Sequence, residues 1–374
     1  MTRHTIRLGS IAGIPVGLDY SWFLIFALLT WVLAVSYYPT EFAGWPQSQY
    51  WIMGALTAIL LFVSVLLHEL GHSVLARHYG ISVRNITLFI FGGVAHIDGE
   101  PPSPAAEFWI AVAGPVVSLA LAVLCSLLEP VFVAAAPLLA VVKYLAFINF
   151  ALVLFNLIPG FPLDGGRVFR AIVWAVTHNL HRATVTASNA GRLFAYAFIA
   201  FGVWQVFAGN LIGGLWIAFI GWFLETAAVA QVQQDSIQHL LAGHKVSEAM
   251  HACDPPVAPE TTLQEVVDHH VLGAGRRNFL VGQPDHVDGL LTLHRIKEVA
   301  RNEWTTTTAA QAMIPRARMK SVGPDTALLT ALQNMDRNGF NQLPVMVDGR
   351  AEGVLSREDA ISYLRVLQDL AIQS

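Results

Sequence analysis

Six apolar runs, each long enough to cross a bilayer, limit this chain to a small set of folds. A hydrocarbon core about 30 Å thick takes roughly 20 apolar residues in a helix. The candidate spans run from about Leu18 to Tyr37, Trp51 to Tyr79, Phe108 to Leu128, Leu138 to Ile158, Leu193 to Ala208 and Leu211 to Val229. The second is long enough to tilt or to emerge from the bilayer. Only Gly209 and Asn210 separate the last two. Charge supports the same reading: 13% of the residues are charged, against about 25% in a soluble chain.

That deficit is uneven. Residues 1–231 hold nine Lys/Arg and nine Asp/Glu, and the remaining thirteen and seventeen fall in residues 232–374. The expected organisation is a membrane domain over 1–231 followed by a soluble part of mildly acidic balance. Neither part is basic enough for a nucleic-acid partner. With one cysteine in each part, Cys125 and Cys253, neither a disulfide framework nor a cysteine-based metal site is expected. The first apolar run has no small-residue cleavage site after it, so it reads as a retained span.

Basic residues orient the spans. Arg3, Arg7, Arg77, Arg84, Arg167, Arg170, Arg182 and Arg192 all fall on one side of a six-span arrangement. Lys143 alone lies elsewhere, where it can snorkel outward. Both termini are then expected in the cytoplasm.

Two breaks interrupt the apolar pattern. Ile81–Asp98 carries β-branched and aromatic residues around Gly92-Gly93 and reads as a hairpin or bent strand pair. Pro159-Gly-Phe-Pro-Leu-Asp164-Gly-Gly-Arg167 follows the fourth span. Irregular backbone at membrane depth is tolerated where protein or a watery cavity satisfies it, so a site is expected at these breaks.

Within the second span stands His68-Glu69-Leu-Gly-His72. Residues four apart in a helix share a face, so two imidazoles can grip one zinc ion. A carboxylate beside them can serve as general base toward water. Ionisable groups at such a depth are costly and point to function. Zinc also needs a third protein ligand. Asp164 fits, being flanked by Gly165 and Gly166 on the side of the bilayer that the second span approaches. Its alternative role is to cap the helix expected over about 166–176. Glu225 and His96 are weaker ligand candidates. Asn156 can donate to a developing oxyanion or serve helix packing. Gly114-Pro115-x-x-Ser118 in the third span reads as a kinked, close-packing groove.

After Gln231 two related units follow, 245–300 and 309–367. Each opens with a helical phrase ending in Met, Val246–Met250 and Ala309–Met313. A helix, a short strand, a Gly-led strand and a final helix come next.

Together the residues resemble the site-2 protease family of intramembrane metalloproteases. The resemblance rests on His68–His72, Phe91-Gly-Gly93, Gly114-Pro115-x-x-Ser118 and Asn156 through Gly166. The C-terminal repeat resembles a pair of cystathionine-β-synthase (CBS) domains, as in the branch that includes the sporulation proteases. The implied fold is a polytopic α-helical membrane domain with a small sheet after its second helix, plus an α/β CBS pair. The resemblance implies one Zn2+ held by His68, His72 and Asp164, with Glu69 as base and Asn156 as a transition-state or substrate contact. It implies that the strand edge near Gly92 and Gly93 pairs with an unwound substrate strand. The substrate it implies is a membrane protein with a transmembrane segment, cut within the lipid bilayer of a prokaryotic plasma membrane. In the CBS pair it implies an adenine nucleotide at a Ser/Thr-x-x-Asp phrase, present as Ser356-x-x-Asp359, whereas the first repeat has Arg295 at the Asp position. A homodimer through the CBS domains is a further implication. Other readings of a membrane-buried His-Glu-His cluster are a CBS-bearing transporter and an inert scaffold.

Overall fold

The computed structural model describes residues 5–252, 255–273, 276, 278–283, 286–347 and 350–372. Arg3 and Cys253 lie outside the described residues. The chain forms two compact units, Met1–Asp235 and Ser236–Ser374.

The first unit contains six helices long and apolar enough to cross a membrane, among the described residues. They are α1 (Ser21–Glu41), α2 (Gln47–His78), α3 (Pro104–Leu128), α4 (Ala136–Asn156), α6 (Leu180–Phe207) and α7 (Leu211–Leu241). A shorter helix, α5 (Asp164–Thr177), follows the break after α4. Both of the last two long helices exceed the apolar runs that announced them. Helix α6 begins at Leu180 instead of about Leu193, and α7 continues past Val229 to Leu241. The added turns carry polar and charged residues such as Arg182, Arg192 and Asp235, so hydropathy missed them while hydrogen bonding continued the helix. Asn179 starts α6 by accepting the Arg182 N–H at 2.9 Å.

A four-stranded sheet belongs to the same unit, in the order β1 (Thr5–Ile11), β2 (Ile14–Asp19), β3 (Ser82–Phe89), β4 (Gly92–Asp98). The hairpin expected within Ile81–Asp98 is β3–β4, paired Phe89↔Gly92 and Leu88↔Gly93. Its turn is Ile90-Phe91, so the two glycines stand inside β4 and not at the tip. The β1–β2 hairpin was not foreseen. It turns on Ala12 (φ 51°) and Gly13 (φ 73°), both in the region that two-residue hairpin loops require. Strand β2 pairs in parallel with β3, which leaves β4 as an edge strand.

The second unit contains two three-stranded sheets. One joins β5 (His251–Ala252), β10 (Arg350–Ser356) and β9 (Gln342–Val347); the other joins β6 (Asn278–Gln283), β7 (His286–Thr292) and β8 (Ile314–Pro315). The two repeats therefore exchange their opening phrases. Val246 and Ala249 pack with Leu328, Leu343, Val345 and Leu355 of the second repeat. Ala309 and Ala312 pack with Phe279, Val281 and Leu291 of the first. A Cβ on Gly353 would lie 2.8 Å from the Met250 sulfur, and one on Gly289 would lie 2.6 Å from that of Met313. The Gly-led strands and the Met-ended phrases are thus matched across repeats.

Candidate metal centre

Three side chains from two distant segments converge. His68 and His72 are buried on one face of α2. Asp164 is the first residue of α5 and makes no capping bond there. Its Oδ2 lies 3.1 Å from His68 Nε2 and 3.2 Å from His72 Nε2, and the two Nε2 atoms are 3.2 Å apart. Asp164 therefore stands where a third ligand could sit beside both rings.

The second nitrogen of each ring is also held. His72 Nδ1 lies 2.7 Å from the Ile110 carbonyl. A carbonyl only accepts, so Nδ1 carries the proton and Nε2 of the neutral ring presents a lone pair. His68 Nδ1 meets the Ser118 hydroxyl at 3.0 Å. Ring nitrogens and a carboxylate oxygen thus face one another at about 3 Å, an arrangement that a shared cation makes favourable. Ligand bonds of about 2.0–2.2 Å in a tetrahedral site would set ligand atoms about 3.3–3.6 Å apart, slightly wider than the observed spacing. The donor set of two imidazoles and one carboxylate matches a zinc site with an open position. Among the described residues, no other group of His, Cys, Asp and Glu converges in this way.

The floor of the centre is Gly114 of α3. A Cβ there would stand 2.2 Å from His72 Nε2 and 2.6 Å from His68 Nε2. Gly71 brings α2 onto α3 in the same way, with Ala113 O 3.1 Å from the position a Cβ would take. Read from sequence as groove formers only, Gly114 and Ser118 therefore reach the site itself. Ser118 was legible as a small polar residue on the stripe of Gly114. The Ile110 contribution is a backbone carbonyl and left no signal.

As a metal ligand Asp164 would serve as its carboxylate, beside rings that offer lone pairs.

Glu69 lies along the edge strand. The Ala95 backbone N–H of β4 bonds its carboxylate, and a Cβ on Gly93 would come 2.6 Å from Glu69 Cγ. Gly92 has φ +129°, a conformation L side chains rarely adopt. Asn156 ends α4, half-buried, eight residues before Asp164. Glu225 pairs with Arg192 at 3.8 Å and His96 is exposed on β4; neither joins the centre.

In the second unit a cavity of about 510 Å³ opens between the repeats. Arg295, Arg318, Lys320, Ser356, Arg357 and Glu358 are among the residues that line it, with Arg295 paired to Glu298 and Arg357 to Asp336. Asp359 is not among the lining residues. Its carboxylate accepts the Ser356 N–H at 2.9 Å and meets His251 Nδ1 at 2.9 Å, closing the first turn of the last helix. Ser356 and Asp359, expected from sequence to act together on a nucleotide, are adjacent and bond each other, the Asp359 N–H donating to Ser356 Oγ at 3.1 Å.

The profile described as Peptidase family M50 matches residues 56–135 and 127–201, and that of the CBS domain matches residues 310–366. Rip3 of Mycobacterium tuberculosis, described as a zinc metalloprotease, is 37% identical over 370 residues, spanning 97% of this chain and 94% of that one. The zinc metalloprotease MJ0392 of Methanocaldococcus jannaschii is 27% identical over 370 residues, 98% of each. The solved structure of a site-2 protease from the same archaeon is 32% identical, with a TM-score of 0.44, and covers 61% of this chain and 95% of its own.

Proposed function

The chain belongs to peptidase family M50, the site-2 proteases, and on that premise we propose that it cuts a transmembrane segment of a membrane-protein substrate. The coarser description is settled by membership: this is a zinc-dependent peptidase of the membrane. The finer reading is carried by one observation, the convergence of His68, His72 and Asp164 on Gly114 with the second ring nitrogens already held.

His68, His72 and Asp164 would hold the ion. Zinc supplies Lewis acidity, making water a competent nucleophile near neutral pH and polarising the scissile carbonyl. Glu69 takes the proton of the attacking water and returns it to the leaving amine. Asn156 offers an amide N–H to the oxyanion. The open edge of β4 at Gly92 and Gly93 takes up an extended substrate strand by main-chain pairing; the Glu69 carboxylate on Ala95 supports this, because it sets the base beside that edge. A helical substrate hides its peptide bonds, so the strand has to form first.

The cationic cavity of the second unit favours a nucleotide held by its phosphates, with Ser356 as a contact. The even span count and the arginine distribution support cytoplasmic termini in a prokaryotic plasma membrane.

The test is zinc content and cleavage of a single-span substrate by detergent-purified protein, wild type beside Glu69→Gln. Stoichiometric zinc in both, with cleavage only by wild type, is expected. Cleavage by Glu69→Gln overturns the assignment of the base, and absence of zinc from metal-replete wild type overturns the metal centre.

A further inference from the structure

A buried ion pair ties α5, the helix carrying Asp164, to α3, the helix whose Ile110 and Ser118 orient both histidine rings. Glu107 is fully buried in the first turn of α3, and Arg170 lies six residues after Asp164 in α5, also buried. Arg170 Nε donates to Glu107 Oε1 at 2.5 Å, and its Nη2 contacts the same oxygen. Arg170 Nη1 donates to Thr184 of α6 at 3.4 Å, and the guanidinium lies over the Phe161 ring at 5.3 Å. One side chain thus fastens α5 to α3, to α6 and to the break that precedes Asp164.

The face of α3 that receives it is shared. Glu107, Ile110, Gly114 and Ser118 recur at intervals of three or four residues, which places them on one face of the helix. All four are buried. Ile110 and Ser118 orient the histidine rings, Gly114 makes room for them, and Glu107 anchors α5. Both parts of the ligand set, one from α2 and one from α5, are therefore referred to a single stripe of α3.

Stability gives a poor account of the pair. Glu107 Oε2 is buried without a hydrogen-bond partner. Partly satisfied buried ions are costly, and apolar replacements of such pairs are often neutral or stabilising. What an ion pair adds over apolar packing is a fixed direction, and Arg provides it through a rigid planar fork.

We infer that Glu107 and Arg170 are positioning residues for the metal centre: they set the third ligand, Asp164, against the two histidines. This rests on the reading of the centre as a zinc site. Neither residue touches the ion or the substrate, so the expected effect is on metal affinity and coordination geometry, with the fold intact.

The experiment compares full-length wild type with Glu107→Leu/Arg170→Met and with Arg170→Lys. It reads zinc affinity by chelator competition, the visible absorption of the cobalt-loaded protein, and thermal unfolding. The double variant should unfold at or above the wild-type temperature, bind zinc about 10–100-fold more weakly and give an altered cobalt spectrum. Arg170→Lys keeps the charge but not the fork, and should lose affinity in the same direction; it decides the matter if the double variant fails to fold. Wild-type affinity and cobalt spectrum in both variants, beside tight zinc in wild type, overturn the positioning role alone. No zinc in wild type overturns the metal reading and this one with it.

Discussion

His68 Nδ1 lies 3.0 Å from the Ser118 hydroxyl, so a side chain less than one helical turn after Pro115 fixes the plane of a metal-facing ring. Ser118→Ala removes that partner without opening a large void. Zinc affinity should fall about 10–100-fold while the helical signal in circular dichroism stays at the wild-type level. Chelator competition is the check.

Gly114→Ala should be more severe. The added methyl would stand 2.2 Å from His72 Nε2, inside the space the ligand atoms share. The expected outcome is purified protein with background zinc and no cleavage, measured by metal analysis beside wild type.

Gly93→Ala separates the base from the metal. Its Cβ would approach Glu69 Cγ to 2.6 Å while lying away from the ligand atoms. Zinc should remain stoichiometric. A displacement of the base by about 1 Å costs on the order of 100-fold in rate, so kcat should drop by roughly that factor. Loss of zinc instead would show that β4 supports the ligands and not the base.

The cavity between the repeats makes a prediction about charge. Arg318 and Lys320 both line it. Arg318→Ala/Lys320→Ala should weaken ATP binding by about tenfold or more and leave adenosine binding little changed, by calorimetry on the full chain. Asp359→Ala, by contrast, should act on the start of the last helix and not on affinity.

Acid should loosen the second unit at a defined point. His244 and Tyr363 hydrogen-bond the Glu248 carboxylate and lower its pKa from 4.5 to about 2. A depressed folded value means the contribution is present above about pH 4.5 and is lost as pH falls toward 2. Glu248→Gln should therefore exchange amide hydrogens faster than wild type across residues 244–250 at pH 6. That difference should close toward pH 2.

The long helices were legible because an uninterrupted apolar run of sufficient length has few alternatives in a bilayer. The His68, Glu69, His72 set was legible because charge at such depth demands a reason. Asp164 was legible as a candidate only; spacing could not separate a cap from a ligand, and only the fold places its carboxylate within 3.2 Å of both Nε2 atoms. The β1–β2 hairpin escaped because β1 is almost wholly exposed, so no burial alternation marks it, and its turn uses Ala12 where Asn or Gly is the usual signal. The Glu107–Arg170 pair escaped because sequence shows two charges 63 positions apart and nothing of the stripe they share.

The crossed opening phrases of the C-terminal repeats have a consequence for how that unit can be divided. Val246–Met250 completes the core of the second repeat and Ala309–Met313 that of the first. Neither repeat is a removable module. A cut between Ala300 and Ala309 would release no fragment, since each piece would still hold a strand of the other's sheet. Deleting either repeat would leave a hydrophobic gap in its sibling, so the two should unfold together and not one at a time.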